Sequence, residues 1–152
     1  MGLKPSEIQK DTWRSFLIAH ARVTREIDRR LKADGHIPLD IYDVLVTLEF
    51  EPTEKRRMSE LADRIVFSRS GLTRLIDRLE KQGYVKREAC EDDRRGSYAV
   101  LTEKGKAARV KAWRTFEPAI QELWGDFIAD DEAMRLKPVY DAMTLKAIRS
   151  GR

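Results

Sequence analysis

The sequence predicts a mainly α-helical chain with one small β element, an α+β arrangement in which a helix-turn-helix runs straight into a two-stranded hairpin and longer helices flank both. Three observations lead there. Apolar residues recur near a 3.6-residue period through most of the 152 positions. The charged fraction of 37% suits long helices with solvated outer faces better than a thick sheet core. Alternation at a period of two is confined to the stretch around residues 84 to 100. With a hydrophobic fraction of 41%, the length allows one compact domain, or a small domain with helical extensions, and excludes two large independent ones.

Residues 6 to 33 form the first expected helix, with Trp13, Phe16, Leu17, His20, Val23, Ile27 and Leu31 on one stripe and Gly35 as its stop. After Ile37-Pro38, Asp40 is the expected N-cap of a second helix carrying Ile41, Val44, Leu45 and Leu48, which ends at Glu51-Pro52. "TEKRR" reads as a charged loop, and Met58, Leu61, Ala62 and Ile65 mark a short third helix beginning near Ser59. A fourth helix starts at Ser68, a good N-cap, and stops at Gly83 with no proline between. Only Val66 and Phe67 then separate helices three and four, a helix-turn-helix spacing in which one short helix braces the next against a surface.

On the fourth helix, at 100 degrees per residue, Leu72, Leu75, Ile76 and Leu79 make an apolar stripe. Opposite it stand Ser70, Arg74, Asp77 and Lys81, with Thr73 and Arg78 on the flanks. The next segment changes period: "YVKREA" and "SYAVL" read as strands from the alternation of Val85 and Ala89 in one and Tyr98 and Val100 in the other, joined by "CEDDRRG". A helix-turn-helix followed at once by an arginine-tipped hairpin is a winged helix, with both protrusions aimed to the same side. From Thr102, an N-cap, a helical pattern resumes through Ala107, Val110, Trp113, Phe116, Ile120, Leu123, Trp124, Phe127 and Ile128, with a kink expected at Pro118. A last helix follows "ADDE" with Met134, Leu136, Val139, Tyr140, Met143 and Ile148, and Pro138 as a second kink. The terminal helices carry more large apolar side chains than a small winged helix can cover, so residues 1–38 with 103–152 are expected to form an intertwined dimer region around a winged-helix lobe at 39–102, all within one compact chain.

The order of helices, the stretch "LADRIVFSRSGLTRLIDRLEKQGYVKRE" and above all "DRRGSYAVLTEKG" resemble the MarR family of winged-helix transcription regulators over nearly the whole chain. The family's wing signature, an aspartate, an arginine two residues on and a Leu-Thr pair, falls on Asp93, Arg95, Leu101 and Thr102. The resemblance implies a homodimer with interlocking terminal helices and two lobes on duplex DNA. It also implies, in many members, a small aromatic or phenolic effector bound where the two regions meet. A symmetric dimer is expected to read an inverted repeat, and a repressor's role is the expected function.

Geometry, more than bulk charge, points to DNA. The net charge of +4 and pI near 9.3 permit a polyanionic partner without requiring one. Residues 58 to 98 hold nine Lys/Arg against eight Asp/Glu, so the lobe is almost neutral. Its cations, however, fall on the outward helix face and the hairpin tip, while acids such as Asp77 can pair locally, here with Lys81. Near the start of the fourth helix, Arg69 and Arg74 can read guanine bidentately and Ser70 and Thr73 can take either hydrogen-bonding role. Ser68 and Arg78 suit phosphate. Arg95 suits the narrow minor groove, with Asp93 holding its guanidinium in a fixed pose and Arg94 turned to the backbone. The competing reading is a winged helix that docks proteins or RNA, and a shallow salt dependence of binding is its mark.

For an effector, Trp13, Phe16 and His20 share one side of the first helix, and Tyr42 on the second can face them across the lobe junction as an aromatic cleft with polar handles. The alternative is that all four are ordinary core, which is what aromatic residues at helical spacing most often are.

Enzyme readings find little support. Asp92-Asp93 and Asp130-Asp131-Glu132 suit turns and helix caps, because neither run is accompanied by a histidine or a further cluster of ligands. Neither a phosphate-cradling glycine loop nor a GxSxG is present, His20 and His36 lack metal-pair spacing, and no cofactor or metal is expected. Cys90 is the single cysteine, so an intramolecular disulfide is impossible; with Glu88, Glu91 and Asp92 close by, its thiolate is disfavoured and a passive role is expected. The sequence holds no bilayer-length apolar run, and "MGLKPSEIQKD" lacks a signal-peptide layout, so a cytoplasmic protein without a membrane partner is expected. Met1-Gly2 with Ser6 formally fits a myristoylation pattern, but a single acyl chain anchors weakly and no second signal supports it.

Overall fold

The computed structural model describes the backbone of residues 4–65, 69–90 and 93–150, and the side chains of these residues except 69, 70 and 93–95. Helix α1 spans Glu7–Ala33. It opens with a capping box: Ser6 Oγ accepts from the Gln9 N–H at 3.3 Å, and Gln9 Oε1 accepts from the Ser6 N–H at 2.8 Å. Gly35, at φ +71°, turns the chain out of the helix as a residue without Cβ can.

Helix α2 covers Leu39–Glu49 and begins two residues before the position expected from the sequence. Asp40 lies inside it and does not cap it; Pro38 occupies the N-cap without a side-chain bond. The cap comes from α1, where Asp28 Oδ1 accepts the Leu39 N–H at 2.9 Å. A carboxylate eleven positions before Leu39 does the work that a local N-cap would do, and it fastens α1 to α2 as well.

The "TEKRR" stretch is not a loop throughout, since Lys55–Arg57 forms strand β1. Three consecutive cations show no alternation, so pairing alone makes this strand: Lys55, Arg56 and Arg57 lie opposite Val100, Ala99 and Tyr98. Strands β2 (Val85–Cys90) and β3 (Asp93–Leu101) complete an antiparallel sheet of order β1-β3-β2. Its inward row differs from the sequence expectation. Ala99 and Leu101 are buried, whereas Tyr98 and Val100 are half-buried on the other face. In β2 a register shift between Ala89 and Cys90 turns Cys90 inward and leaves Ala89 exposed.

Between β1 and β2 lie α3, Met58–Leu61, and α4, Arg69–Lys81. Helix α3 is one turn long and ends four residues before the expected Ile65, so the connection to α4 is longer than two residues; 66–68, including the expected cap Ser68, lie outside the described residues. Gly83, at φ +74°, closes α4 as expected.

Helix α5 runs Glu103–Leu123 from the N-cap Thr102 and passes through Pro118. It stops sooner than its apolar pattern suggests. Trp124 leaves helical geometry at φ −140°, and a single 3-10 turn, Gly125–Phe127, separates α5 from α6, Asp130–Ser150. Asp130, Asp131 and Glu132 fill the first turn of α6, and the Glu132 carboxylate accepts the Ala129 N–H at 2.9 Å, the helix-cap role expected of that acid run.

One continuous core joins these elements. Ile27 and Leu31 of α1, Val44, Leu45 and Leu48 of α2, Leu61, the α4 stripe, Val85, Ala99, Leu101 and Ala112 of α5 are all buried in it. Each fully buried leucine or isoleucine contributes about 1.5–3 kcal/mol of hydrophobic stabilisation. The terminal helices contrast with this: α6 buries none of its residues, and Met134 remains 71% exposed.

Candidate nucleic-acid interface

The stripe read from the sequence is the buried side of α4. Leu72, Leu75, Ile76 and Leu79 are between 0% and 6% exposed. Burial of those four residues fixes the rotation of the helix, and the rotation decides which polar residues face out. Thr73, Arg74, Arg78 and Lys81 are exposed and Asp77 is half-buried. Arg69 and Ser70 begin the helix, but their side chains lie outside the described residues. The same holds for Asp93, Arg94 and Arg95, whose backbone opens β3.

Two ion pairs on this face were not legible in the sequence. Asp77 pairs with Arg87 of β2 at 2.6 Å, in place of the expected Lys81. Arg78, expected to meet phosphate, donates to Asp40 of α2 at 2.8 Å. Sequence spacing could not reveal either, because the partners are 10 and 38 positions away.

The Leu-Thr pair of the wing signature has a structural meaning. Leu101 is buried, and the Thr102 hydroxyl lies 2.7 Å from the Gly83 carbonyl and 3.0 Å from that of Tyr84, to which it can donate, while accepting the Gly105 N–H at 3.1 Å. One hydroxyl therefore joins the end of α4, the start of β2 and the first turn of α5. Gly105 belongs to the same joint. A Cβ there would stand 2.3 Å from the Tyr84 carbonyl oxygen, a distance no side chain tolerates.

The four residues expected to form an aromatic cleft fall into two groups. Tyr42 is 4% exposed and stacks on Phe116 of α5, with ring centroids 4.7 Å apart and planes 17° from parallel. Burial pushes its hydroxyl pKa up, opposed by the charge and hydrogen bond of Arg109. Trp13, Phe16 and His20 instead form a row along α1, and Phe16 stacks on Tyr140 of α6 at 6.0 Å. A cleft of about 750 Å³ does open where α1, α2 and α4 meet. His20, Thr24, Asp28, Asp40 and Arg78 line it; Trp13, Phe16 and Tyr42 do not.

Cys90 is buried at 5% exposure, which keeps oxidants from its thiol. Among the described residues no three His, Cys, Asp or Glu side chains gather as a metal site, and no helix is long and apolar enough to cross a membrane.

A buried-stripe helix set beside an antiparallel hairpin, braced by a shorter helix and a third strand, defines the class of winged-helix proteins. The MarR family model matches residues 42–96, which take in most of α2, the helix-turn-helix and the start of the wing. The HTH-type transcriptional regulator PrsX of Escherichia coli is 32% identical over 116 residues, spanning 76% of this chain and 69% of PrsX. The transcriptional repressor MprA of Escherichia coli is 33% identical over 97 residues, spanning 64% of this chain and 54% of MprA. Among solved structures, AbsC, a MarR family transcriptional regulator from Streptomyces coelicolor, superposes with a TM-score of 0.81 at 28% identity, covering 98% of this chain and 99% of AbsC. Sco3205, a MarR family transcriptional regulator from the same organism solved in complex with DNA, gives 0.81 at 29% identity, covering 94% of this chain and 89% of Sco3205. The chain belongs to the MarR family of winged-helix transcriptional regulators.

Proposed function

We propose that the chain is a sequence-specific repressor that binds double-stranded DNA as a homodimer, reading an inverted repeat with one α4 per half-site. One observation carries the reading. Burial of Leu72, Leu75, Ile76 and Leu79 forces Thr73 and Arg74 outward on the same lobe that holds the hairpin. Arg69, Ser70, Thr73 and Arg74 are assigned to base edges, Ser68 and Arg78 to phosphate, and Arg95, oriented by Asp93, to the minor groove with Arg94 on the backbone.

The dimer is supported by apolar surface that the single chain leaves uncovered. Trp13, Leu17 and Ile18 of α1 and Met134, Val139 and Met143 of α6 are exposed. Residues 1–38 with 103–152 are assigned to this dimer region and 39–102 to the DNA lobe, and the single core running through both agrees with one compact chain. The likeness to Sco3205, a structure solved with DNA, supports the choice of duplex over a protein or RNA partner.

A small aromatic acid is assigned as effector at the junction of α1, α2 and α4, supported by the cleft that His20 lines and by the neighbouring row of Phe16 and Trp13. Such a ligand acts only through unequal affinity for the DNA-competent and DNA-incompetent spacings of the two α4 helices.

Selection of bound duplexes from a random pool, then footprinting with and without a salicylate-like compound, tests the reading. An inverted repeat with half-sites about one helical turn apart, and binding that falls steeply with salt, is expected. A monomer by sedimentation at micromolar concentration that still binds tightly, or binding insensitive to salt, contradicts it.

A further inference from the structure

The register of the sheet places two arginines on either side of one buried alanine. Ala99 of β3 is fully buried, with Arg56 of β1 opposite it on one side and Arg87 of β2 on the other. Each arginine reaches a different helix of the helix-turn-helix. Arg56 pairs with Glu51 and lies 3.8 Å from Glu60 of α3. Arg87 spans two carboxylates of α4, with Nη2 2.6 Å from Asp77 and Nη1 2.8 Å from Glu80.

We propose that Arg87 is a positioning residue for DNA recognition, fixing the angle between α4 and the wing and offsetting with its one charge part of that of the two carboxylates that α4 would otherwise turn toward DNA. This rests on the DNA-binding reading above and adds a residue that touches no DNA in it. Asp77 and Glu80 are three apart on one helix face, so they sit side by side as like charges. Asp77 lies on the outward stripe between Arg74 and Lys81, where an uncompensated carboxylate repels phosphate. A planar fork can meet two carboxylates at once; an ammonium on a flexible stem holds only one in a fixed direction. Base readout depends on the helix angle, whereas phosphate contacts tolerate small rotations, so the two consequences of losing Arg87 can be separated.

The test uses the full chain, the duplex recovered by selection and a random duplex of equal length. Arg87→Met keeps the aliphatic stem and removes the fork. It is expected to weaken binding to the selected duplex about tenfold, a mid-range effect for residues in one charge network, and to lower the ratio of selected to random affinity. Adding D77N and E80Q to that variant removes the orphaned charges, so affinity for random duplex returns while the ratio stays low. Arg87→Lys is expected to behave like this triple variant. A lowered thermal midpoint with an unchanged affinity ratio makes Arg87 merely structural and overturns the proposal. If Arg87→Met does not fold, D77N/E80Q in the native background must lower the ratio by cutting the same tie, and an unchanged ratio overturns the proposal. A native protein with no preference among duplexes overturns the function and this inference together, whereas a native preference that Arg87→Met retains in full overturns this inference alone.

Discussion

Arg109→Met tests the seam between the DNA lobe and the long helices. Tyr42 and Glu49 are seven residues apart on α2, Arg109 and Phe116 seven apart on α5, and the helices meet in antiparallel fashion through both pairs. Arg109 Nη2 donates to Glu49 Oε1 at 2.8 Å, and its Nε stands 2.5 Å from Oε2. The two side chains are 18% and 22% exposed. Removing one member of a fully buried pair costs about 3–5 kcal/mol because the other charge is stranded. Partial access to water reduces this to about 2–3 kcal/mol, a fall in melting temperature of about 5–10 °C for a chain of this size. Urea unfolding at fixed protein concentration, followed by circular dichroism and tryptophan fluorescence, measures it. Arg109→Met with Glu49→Leu should recover stability to within about 1 kcal/mol of the native chain, since both charges then leave together. A single variant that loses under about 0.5 kcal/mol, or a double variant no better than the single, refutes the claim that a stranded carboxylate sets the cost.

Arg74→Ala is expected to cost about 1–3 kcal/mol on the selected duplex and to relax discrimination at one or two base pairs, while Arg95→Ala costs affinity mainly on sites flanked by A·T-rich steps; equal losses on selected and random DNA for both contradict this division. Gly105→Ala should destabilise by about 1–3 kcal/mol, because its Cβ meets the Tyr84 carbonyl at 2.3 Å, and a melting temperature equal to that of the native chain contradicts the close approach. The guanidiniums of Arg29 and Arg30 hold Glu26 down from 4.5 to about 2, and Arg30 also holds Glu122 of α5 below the usual carboxylate range. Depressed carboxylates stabilise above their unfolded pKa and lose that contribution as pH falls through the folded value, so stability should decline between about pH 4.5 and 2. E26Q/E122Q should flatten that decline, and parallel curves for variant and native protein count against it.

The elements legible in the sequence are those whose signal is local. α1 announces itself by its stripe and Gly35, and α4 by four aliphatic residues on one face and Gly83. β1 is invisible for the opposite reason. Lys55, Arg56 and Arg57 have no strand pattern of their own, and their conformation comes from β3 across the sheet and from Tyr98, whose ring lies 5.0 Å from the Lys55 Nζ and 5.7 Å from the Arg57 guanidinium carbon. The inward row of β3 is hard to read because Ala99 is small and Tyr98 large, so hydrophobic size points to the wrong face. Tyr42 fails as a partner for Trp13 because the choice between α1 and α5 as neighbour of α2 is tertiary, and periodicity says which face is apolar without saying what it meets.

The near neutrality of the lobe also acquires a physical meaning once partners are known. Its acids do not form an opposing field, because the structure uses several of them internally: Glu60 with Arg56, Asp77 and Glu80 with Arg87, Glu88 with Lys86 at 3.0 Å. These contacts engage three cations with four carboxylates, Arg87 serving two, so the formal sum changes little while the spatial pattern changes a great deal. Arg87 is spent on holding α4, and Arg78 on Asp40, so a phosphate that takes Arg78 must first displace a carboxylate at 2.8 Å. Arg78 therefore gains only the difference between two charge-assisted bonds, whereas the exposed Arg74 gains nearly a whole one. Under the proposed reading, two arginines four residues apart on one helix are thus unequal as DNA ligands, and the inequality comes from Asp40 of α2.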